Sequence, residues 1–187
     1  MSASRKVVPA SVEFADIGGL VEGASQGEGL GNRFLAGIRE VDAIVFVLRA
    51  FRDDDVPGPT DPLEHLRVVE MELALADLDT AEKQLYKVRR ASKGDPTLAG
   101  AVAALGSAVD CLAEGVPLYR SDLTASERNE LRPFFLLTDK PVLAVVNLDE
   151  VQVVDPDEVL APVTAELAGA EVIGMCGQLE AEAALLG

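Results

Sequence analysis

The sequence predicts an α/β fold, a mostly parallel sheet interrupted by an inserted antiparallel helical hairpin. Three observations carry this. Asp42–Arg49 and Val142–Val146 are continuous apolar runs, the pattern of strands with both faces buried in a parallel sheet. From Leu63 to about Ala91, and from Thr97 to about Glu114, apolar residues recur at spacings of three and four, the period of a helix. A short apolar run ending in Asp16 opens into a glycine-dense loop and then a helical pattern, the usual layout of a phosphate or metal-phosphate site.

Composition narrows the class. The 187 residues suffice for one domain with an insertion, and 49% are hydrophobic, which excludes a disordered chain. Thirty-two acids against sixteen bases give a formal net charge of −16. That balance argues against a broad nucleic-acid or membrane surface and leaves room for a local basic patch. Two cysteines, Cys111 and Cys176, point to a reducing compartment, with small buried thiols rather than a disulfide framework. No apolar signal core follows the N-terminal Met-Ser-Ala-Ser-Arg-Lys, and the apolar runs fall short of a membrane span. A cytoplasmic protein is expected.

In chain order, residues 1–11 contain Pro9 and read as a lead-in. Val12–Asp16 reads as a strand. At its end Asp16 can hold the water shell of Mg²⁺, and Gly19 lets a backbone N–H approach a terminal phosphate because no side chain blocks it. A helix from about Leu30 to Glu40 carries Leu30, Phe34, Leu35 and Ile38. The strand Asp42–Arg49 follows, then a loop with three consecutive acids, Asp53 to Asp55. Without a fixed scaffold these acids read as a solvated loop rather than a metal site.

The hairpin begins at Leu63. Its first helix places Leu66, Val69, Leu73, Ala76, Leu78, Ala81, Leu85 and Val88 on one stripe. Gly94-Asp-Pro96 is a turn. The second helix carries Leu98, Val102, Leu105, Val109 and Leu112. The first helix is on the order of 40 Å long at ~1.5 Å per residue, so the hairpin should project. Lys83, Lys87, Arg89, Arg90 and Lys93 gather toward its tip. They read either as a solvated helix end or as a contact with RNA or another polyanion.

Thr124-Ala-Ser-Glu127 is a capping box that starts a helix to about Leu137, kinked at Pro133. Strand Val142–Val146 ends in Asn147-Leu-Asp-Glu150. Ligands sit at that end of open α/β sheets, and an Asn can both donate to and accept from a purine edge. Asn is also a common turn residue. Acids at Asp155, Asp157 and Glu158 start a helix to about Ala168. Glu171–Met175 is the last strand.

The run Asp16-Ile-Gly-Gly-Leu-Val-Glu-Gly-Ala-Ser-Gln-Gly-Glu-Gly-Leu-Gly-Asn32 closely resembles the switch II segment of the Obg-like ATPases, the YchF family of P-loop NTPases. Asn147-Leu-Asp-Glu150 is similar to the N-x-x-E that this family carries where many GTPases have N-K-x-D. Cys176–Glu182 loosely resembles its final base-side loop. The resemblance implies an incomplete Ras-like P-loop NTPase domain. Residues 1–60 would form its first part, 61–119 the inserted hairpin and 120–187 its second part. By the same resemblance, Asp16 positions the Mg²⁺ water shell and Gly19 donates to the γ-phosphate of ATP or GTP. Asn147 and Glu150 read the base, and Gly177 and Gln178 present backbone groups to it. Losing the Asp of N-K-x-D weakens selection for guanine, so ATP is accepted. Leu20 occupies the place of the water-orienting Gln, and an apolar side chain cannot orient water. Some bacterial relatives carry a His where this chain has Phe46, and His65, the only His, lies in the hairpin. A ribosome or RNA partner would be met through Lys87, Arg89, Arg90 and Lys93.

A P-loop needs G-x-x-x-x-G-K-[ST], and none of Lys6, Lys83, Lys87, Lys93 and Lys140 follows a glycine loop. The resemblance places that loop before residue 12 and a TGS domain after the last residue. This implies a truncated copy without hydrolysis; the alternative is a non-catalytic interaction module using the hairpin. In Ras-like sheets the first strand lies between the strand ending at Asp16 and Asp42–Arg49. Without it those strands either face a gap or pair directly, and apolar surface is exposed.

Overall fold

In a computed structural model of the chain, residues 11–16, 37–52, 59–167 and 169–186 are described. Three parallel strands form one sheet in the order β1 (Ile44–Arg49), β2 (Val142–Asn147), β3 (Glu171–Met175). The register sets Leu48 beside Val146 and Val146 beside Gly174; it also sets Arg49 beside Asn147 and Asn147 beside Met175. The C-terminal ends of all three strands therefore lie along one edge.

Alternation splits the sheet into two unlike faces. Phe46, Leu48, Ala144 and Val146 point into a core shared with Ile38, Leu66, Leu73, Val163 and Leu167. The covering elements are α1 (Pro62–Ala91) and α4 (Asp157–Glu166). On the opposite face Val45 and Ile173 are exposed, and Val47 is 65% exposed. The expectation that both faces of these strands are buried is thus corrected. Continuous apolarity specifies what a strand can bury, not what covers it.

The strand expected at Val12–Asp16 is absent. Residues 11–16 are irregular, with Val12 78% and Phe14 82% exposed. A strand exists only where its N–H and C=O groups find a ladder. Among the described residues the ladder holds three strands, and this segment pairs with none of them.

Helix α1 starts on Asp61, whose carboxylate accepts from the Leu63 and Glu64 amides, with Pro62 in the first turn where no donor is needed. Its thirty residues span about 45 Å. The N-terminal half gives Leu66, Val69 and Leu73 to the sheet core. Ala74, near the middle of the helix, and Ala81 beyond it join a second cluster with Ala104, Leu105, Ala108 and Leu112 of α2 (Ala99–Ala113). Small alanines on both helices let the backbones approach closely. The turn between them is fixed by Asp95, which accepts from the Thr97 amide and hydroxyl. The segment Pro96–Ala113 is long and apolar enough to match a membrane span by composition, more than the sequence reading allowed. In the structure it carries the buried face of the hairpin.

The return from the hairpin is polar and tightly bonded. Tyr119 donates its hydroxyl to Glu70 at 2.6 Å, and Arg120 bridges Glu70 and Glu166 at 2.8 Å each. Arg67 donates to the other Glu166 oxygen. The capping box at Thr124 forms as expected and starts α3 (Ala125–Leu131). The helix expected to reach Leu137 stops six residues early. Pro133 supplies no N–H, the chain tightens to a 3₁₀ turn over Arg132–Phe134, and Phe135 takes a left-handed conformation at φ 52°. Leu137 and Thr138 are then caught by the buried carboxylate of Asp77.

Beyond β3, the segment Cys176–Glu182, a base-side loop by resemblance, turns at once into α5 (Gly177–Leu186). The sequence after Gly177 consists of strong helix formers, and Gln178 donates to Glu182 one turn on.

Candidate nucleotide cleft

The loops leaving the three strands converge on one cleft of about 420 Å³. Phe51 and Arg52 line it after β1, Asn147 to Val151 after β2, and Cys176 and Gln178 after β3. This is the side of a parallel sheet where ligands bind, because the strand ends leave backbone groups and loop side chains facing a crevice.

Asn147 is held at the centre. Its Oδ1 accepts the Gly177 amide at 3.0 Å, which fixes the orientation of the side-chain amide and leaves the NH₂ as its donor. Its backbone carbonyl accepts the Ala50 amide, and the next residue, Leu148, donates to the Met175 carbonyl. A Cβ on residue 177 would stand 3.2 Å from the Asn147 Oδ1, so glycine is what permits this approach. Gly174 does a similar service below the cleft, where a Cβ would meet Leu148 at 2.8 Å.

The sequence reading missed two residues of the β2 loop. Asp149 Oδ1 accepts the Val151 and Gln152 amides at 2.9 and 2.8 Å. Gln152 returns the bond, accepting the Asp149 amide on Oε1 at 2.9 Å, and donates through Nε2 to the Ala50 carbonyl at 3.0 Å. Asp149-Glu-Val-Gln152 has the spacing of a capping box, a signal legible in the sequence. Its consequence is that the Asp149 carboxylate is occupied, while Glu150 beside it is exposed on the cleft.

The remaining expected residues are distributed as follows. Asp16 ends the exposed irregular segment. Gly19 and Leu20 lie outside the described residues. Gln178 lines the cleft and bonds to Glu182. Phe46 is buried in the sheet core, facing Tyr119. His65 sits in the first turns of α1, where burial and then the Arg49 charge press its pKa down, and its buried Nδ1 has no partner among the described residues. Arg49 itself is drawn over the Phe51 ring at 5.9 Å and donates to the Pro59 carbonyl. Of the groups implied for Mg²⁺, only the Asp16 carboxylate is described. No cluster of three or more His, Cys, Asp or Glu side chains able to hold a metal exists among the described residues. A lone exposed carboxylate does not make a metal site, so the described residues by themselves do not assemble one.

Comparisons with known proteins agree with this layout. Residues 3–98 match the sequence profile of the 50S ribosome-binding GTPase family. The chain is 40% identical over 190 residues to the ribosome-binding ATPase YchF of Bacillus subtilis, covering 97% of this chain and 52% of that protein. It is 41% identical over 150 residues to its namesake in Escherichia coli O157:H7, covering 78% and 41%. The solved structure of the Schizosaccharomyces pombe YchF GTPase superposes with a TM-score of 0.69 at 30% identity, over 86% of this chain and 46% of that one. The chain thus spans about half the length of the relatives it matches. A sheet with its cleft at the strand ends, the switch-like glycine run and these relatives point the same way: the chain belongs to the 50S ribosome-binding GTPase family and, within it, to the YchF group of Obg-like ATPases.

Proposed function

We propose that this chain carries the base-binding side of a purine nucleoside triphosphate site, in a cytoplasmic protein whose parent activity is hydrolysis of ATP or GTP with Mg²⁺. The observation that supports it is the convergence of three strand-end loops on one cleft, with Asn147 held by the Gly177 amide. Asn147 offers its NH₂ to a purine acceptor, and Glu150 offers an exposed carboxylate to an exocyclic amine. Gly177 acts through Asn147, and Gln178 flanks the base. Asp16 and Gly19 would serve the metal–phosphate end, and Leu20 cannot orient the attacking water. In this reading residues 61–119 are an insertion between the two parts of the nucleotide domain, 1–60 and 120–187.

The 187 residues contain no phosphate-wrapping G-x-x-x-x-G-K-[ST] string. That loop supplies most phosphate contacts in P-loop enzymes. The chain by itself is therefore expected to bind nucleotide weakly through the base and to hydrolyse none. Amide-resolved NMR titration with adenosine tests the base site: shifts centred on Asn147, Glu150 and Gly177 are expected, and a flat response overturns it. Calorimetry with a non-hydrolysable ATP analogue and Mg²⁺ tests the half-site; micromolar binding overturns that part alone.

A second reading, compatible with the first, concerns the hairpin. Lys87, Arg89, Arg90 and Lys93 are exposed at the end of α1, and Arg90 lies 5.7 Å over the ring of exposed Tyr86. A stacked cation beside free lysines suits RNA, as on a ribosome. Replacing Arg89 and Arg90 by Ala should abolish ribosome co-sedimentation; unchanged co-sedimentation removes this reading.

A further inference from the structure

Gln152 lies outside the Asn147-x-x-Glu150 motif, yet its side chain joins two walls of the cleft. One end donates to the carbonyl of Ala50, 102 residues away in sequence, just before Phe51. The other accepts the amide of Asp149, just before Glu150. Among the described residues it is the one side chain bonded to both loops. The backbone link beneath it, Ala50 N–H to the Asn147 carbonyl, is the last rung between β1 and β2. Past that rung the strand ladder no longer holds the two loops together, and the Gln152 side chain takes its place.

We propose that Gln152 is a positioning residue of the cleft: by tying Ala50 to Asp149 it sets the gap between Phe51 and Glu150 that a purine base must enter. The inference rests on the nucleotide reading above. It makes Gln152 act on the base through the two loops and gives it no direct contact with ligand. It also assigns Asp149 its place. With its carboxylate turned back onto Val151 and Gln152, Asp149 shapes the loop and leaves recognition to Asn147 and Glu150.

A merely structural role would be the cap of the short turn Gln152–Val154. Gln152→Glu separates the two. Glutamate keeps an oxygen for the Asp149 amide, so the reciprocal cap survives. It sets a second oxygen against the Ala50 carbonyl, where a donor is needed, so the bridge is lost. The test is an adenosine titration of the whole chain, followed at the Glu150 and Gly177 amides by NMR, for wild type, Gln152→Ala and Gln152→Glu. The initial slope of shift against concentration should fall roughly three- to tenfold in both variants, the effect of about one ordinary hydrogen bond. The thermal midpoint of Gln152→Glu should stay near that of wild type. A Gln152→Glu chain that titrates like wild type would show a cap and nothing more, and overturns the inference. Loss of response in Gln152→Ala alone overturns it equally. A wild-type chain that gives no shift brings down the nucleotide reading itself, and this inference with it.

Discussion

Asp77, in the middle of α1, accepts both the backbone amide and the hydroxyl of Thr138, at 2.7 and 2.8 Å, from a fully buried position. The neighbouring Leu137 amide adds a third bond to the same carboxylate at 2.9 Å. These bonds fasten the segment that leads into β2, and β2 carries Asn147 to the cleft. Asp77→Ala strands three buried donors at once. The expected cost is about 2–4 kcal/mol, read from urea unfolding, and a loss below about 1 kcal/mol would contradict this account.

The same carboxyl gives a pH dependence. Burial raises its pKa above 3.8, outweighing the hydrogen bonds from Thr138 and Leu137 and the Arg39 charge. The folded state therefore takes up this proton at higher pH than the unfolded chain does. The resulting stabilisation is fully present below 3.8 and is lost as pH rises through the raised folded value. Relative to Asp77→Asn, which cannot titrate, wild type should gain stability on acidification from neutral pH. Parallel stability curves for the two proteins would refute it.

Tyr119 tests the base of the hairpin. Burial, then the charge of Glu70, holds its phenol far above the ordinary value of 10.0. In a Tyr86→Phe background, an absorbance titration should show no phenolate until the chain unfolds. Tyr119→Phe removes the 2.6 Å bond to Glu70 but leaves Arg120 on that carboxylate, so the expected loss is about 1–2 kcal/mol. Ionisation of Tyr119 near its ordinary value in the folded chain would mean the bond is open in solution.

Much of this was legible in the sequence because it is written in local patterns. The hairpin helices follow from a stripe at spacings of three and four, α3 from its capping box, and β2 and β3 from short apolar runs. Asn147 stands out in the sequence because a polar residue at a strand end is itself chemical information, and the structure sets it in the wall of the cleft. What was not legible depends on partners far along the chain. Val12 and Phe14 have strand composition, yet no ladder receives them. Val47 and Phe46 look alike in sequence, and only the placement of α1 and α4 decides which is bare. The Gln152 bridge needs Ala50 beside it, and no sequence spacing reports that contact.

The bare sheet face has a solution consequence. Val45 and Val47 stand on this face of β1, Ile173 stands on the same face of β3 in line with Val47 through half-buried Val145, and all three are exposed. A contiguous apolar patch on a free chain favours association. Sedimentation velocity should show concentration-dependent self-association that Val47→Lys reduces, with stability changed by less than about 0.5–1 kcal/mol because the side chain is mostly exposed. A wild-type chain that stays monomeric at high concentration would mean this face is covered in solution.

Gly177 offers a variant that separates recognition from folding. It begins α5, and it takes no left-handed conformation among the described glycines, so alanine suits its backbone and improves the helix. The difficulty lies across the cleft, where the new methyl would stand 3.2 Å from Asn147 Oδ1 and 3.5 Å from Nδ2. Asn147 must give way by a few tenths of an ångström, and its bond to the residue 177 amide lengthens or tilts. Because that bond is the one that orients the Asn147 amide among the described residues, a small displacement alters what a base would meet. Gly177→Ala is therefore expected to keep or slightly raise the unfolding midpoint while lowering the adenosine response at Glu150 about threefold or more. A variant that binds adenosine as wild type does would show that Asn147 is not held by residue 177 when the base is read. A variant that loses stability instead would place the glycine's role in packing against Asn147 rather than in orienting it.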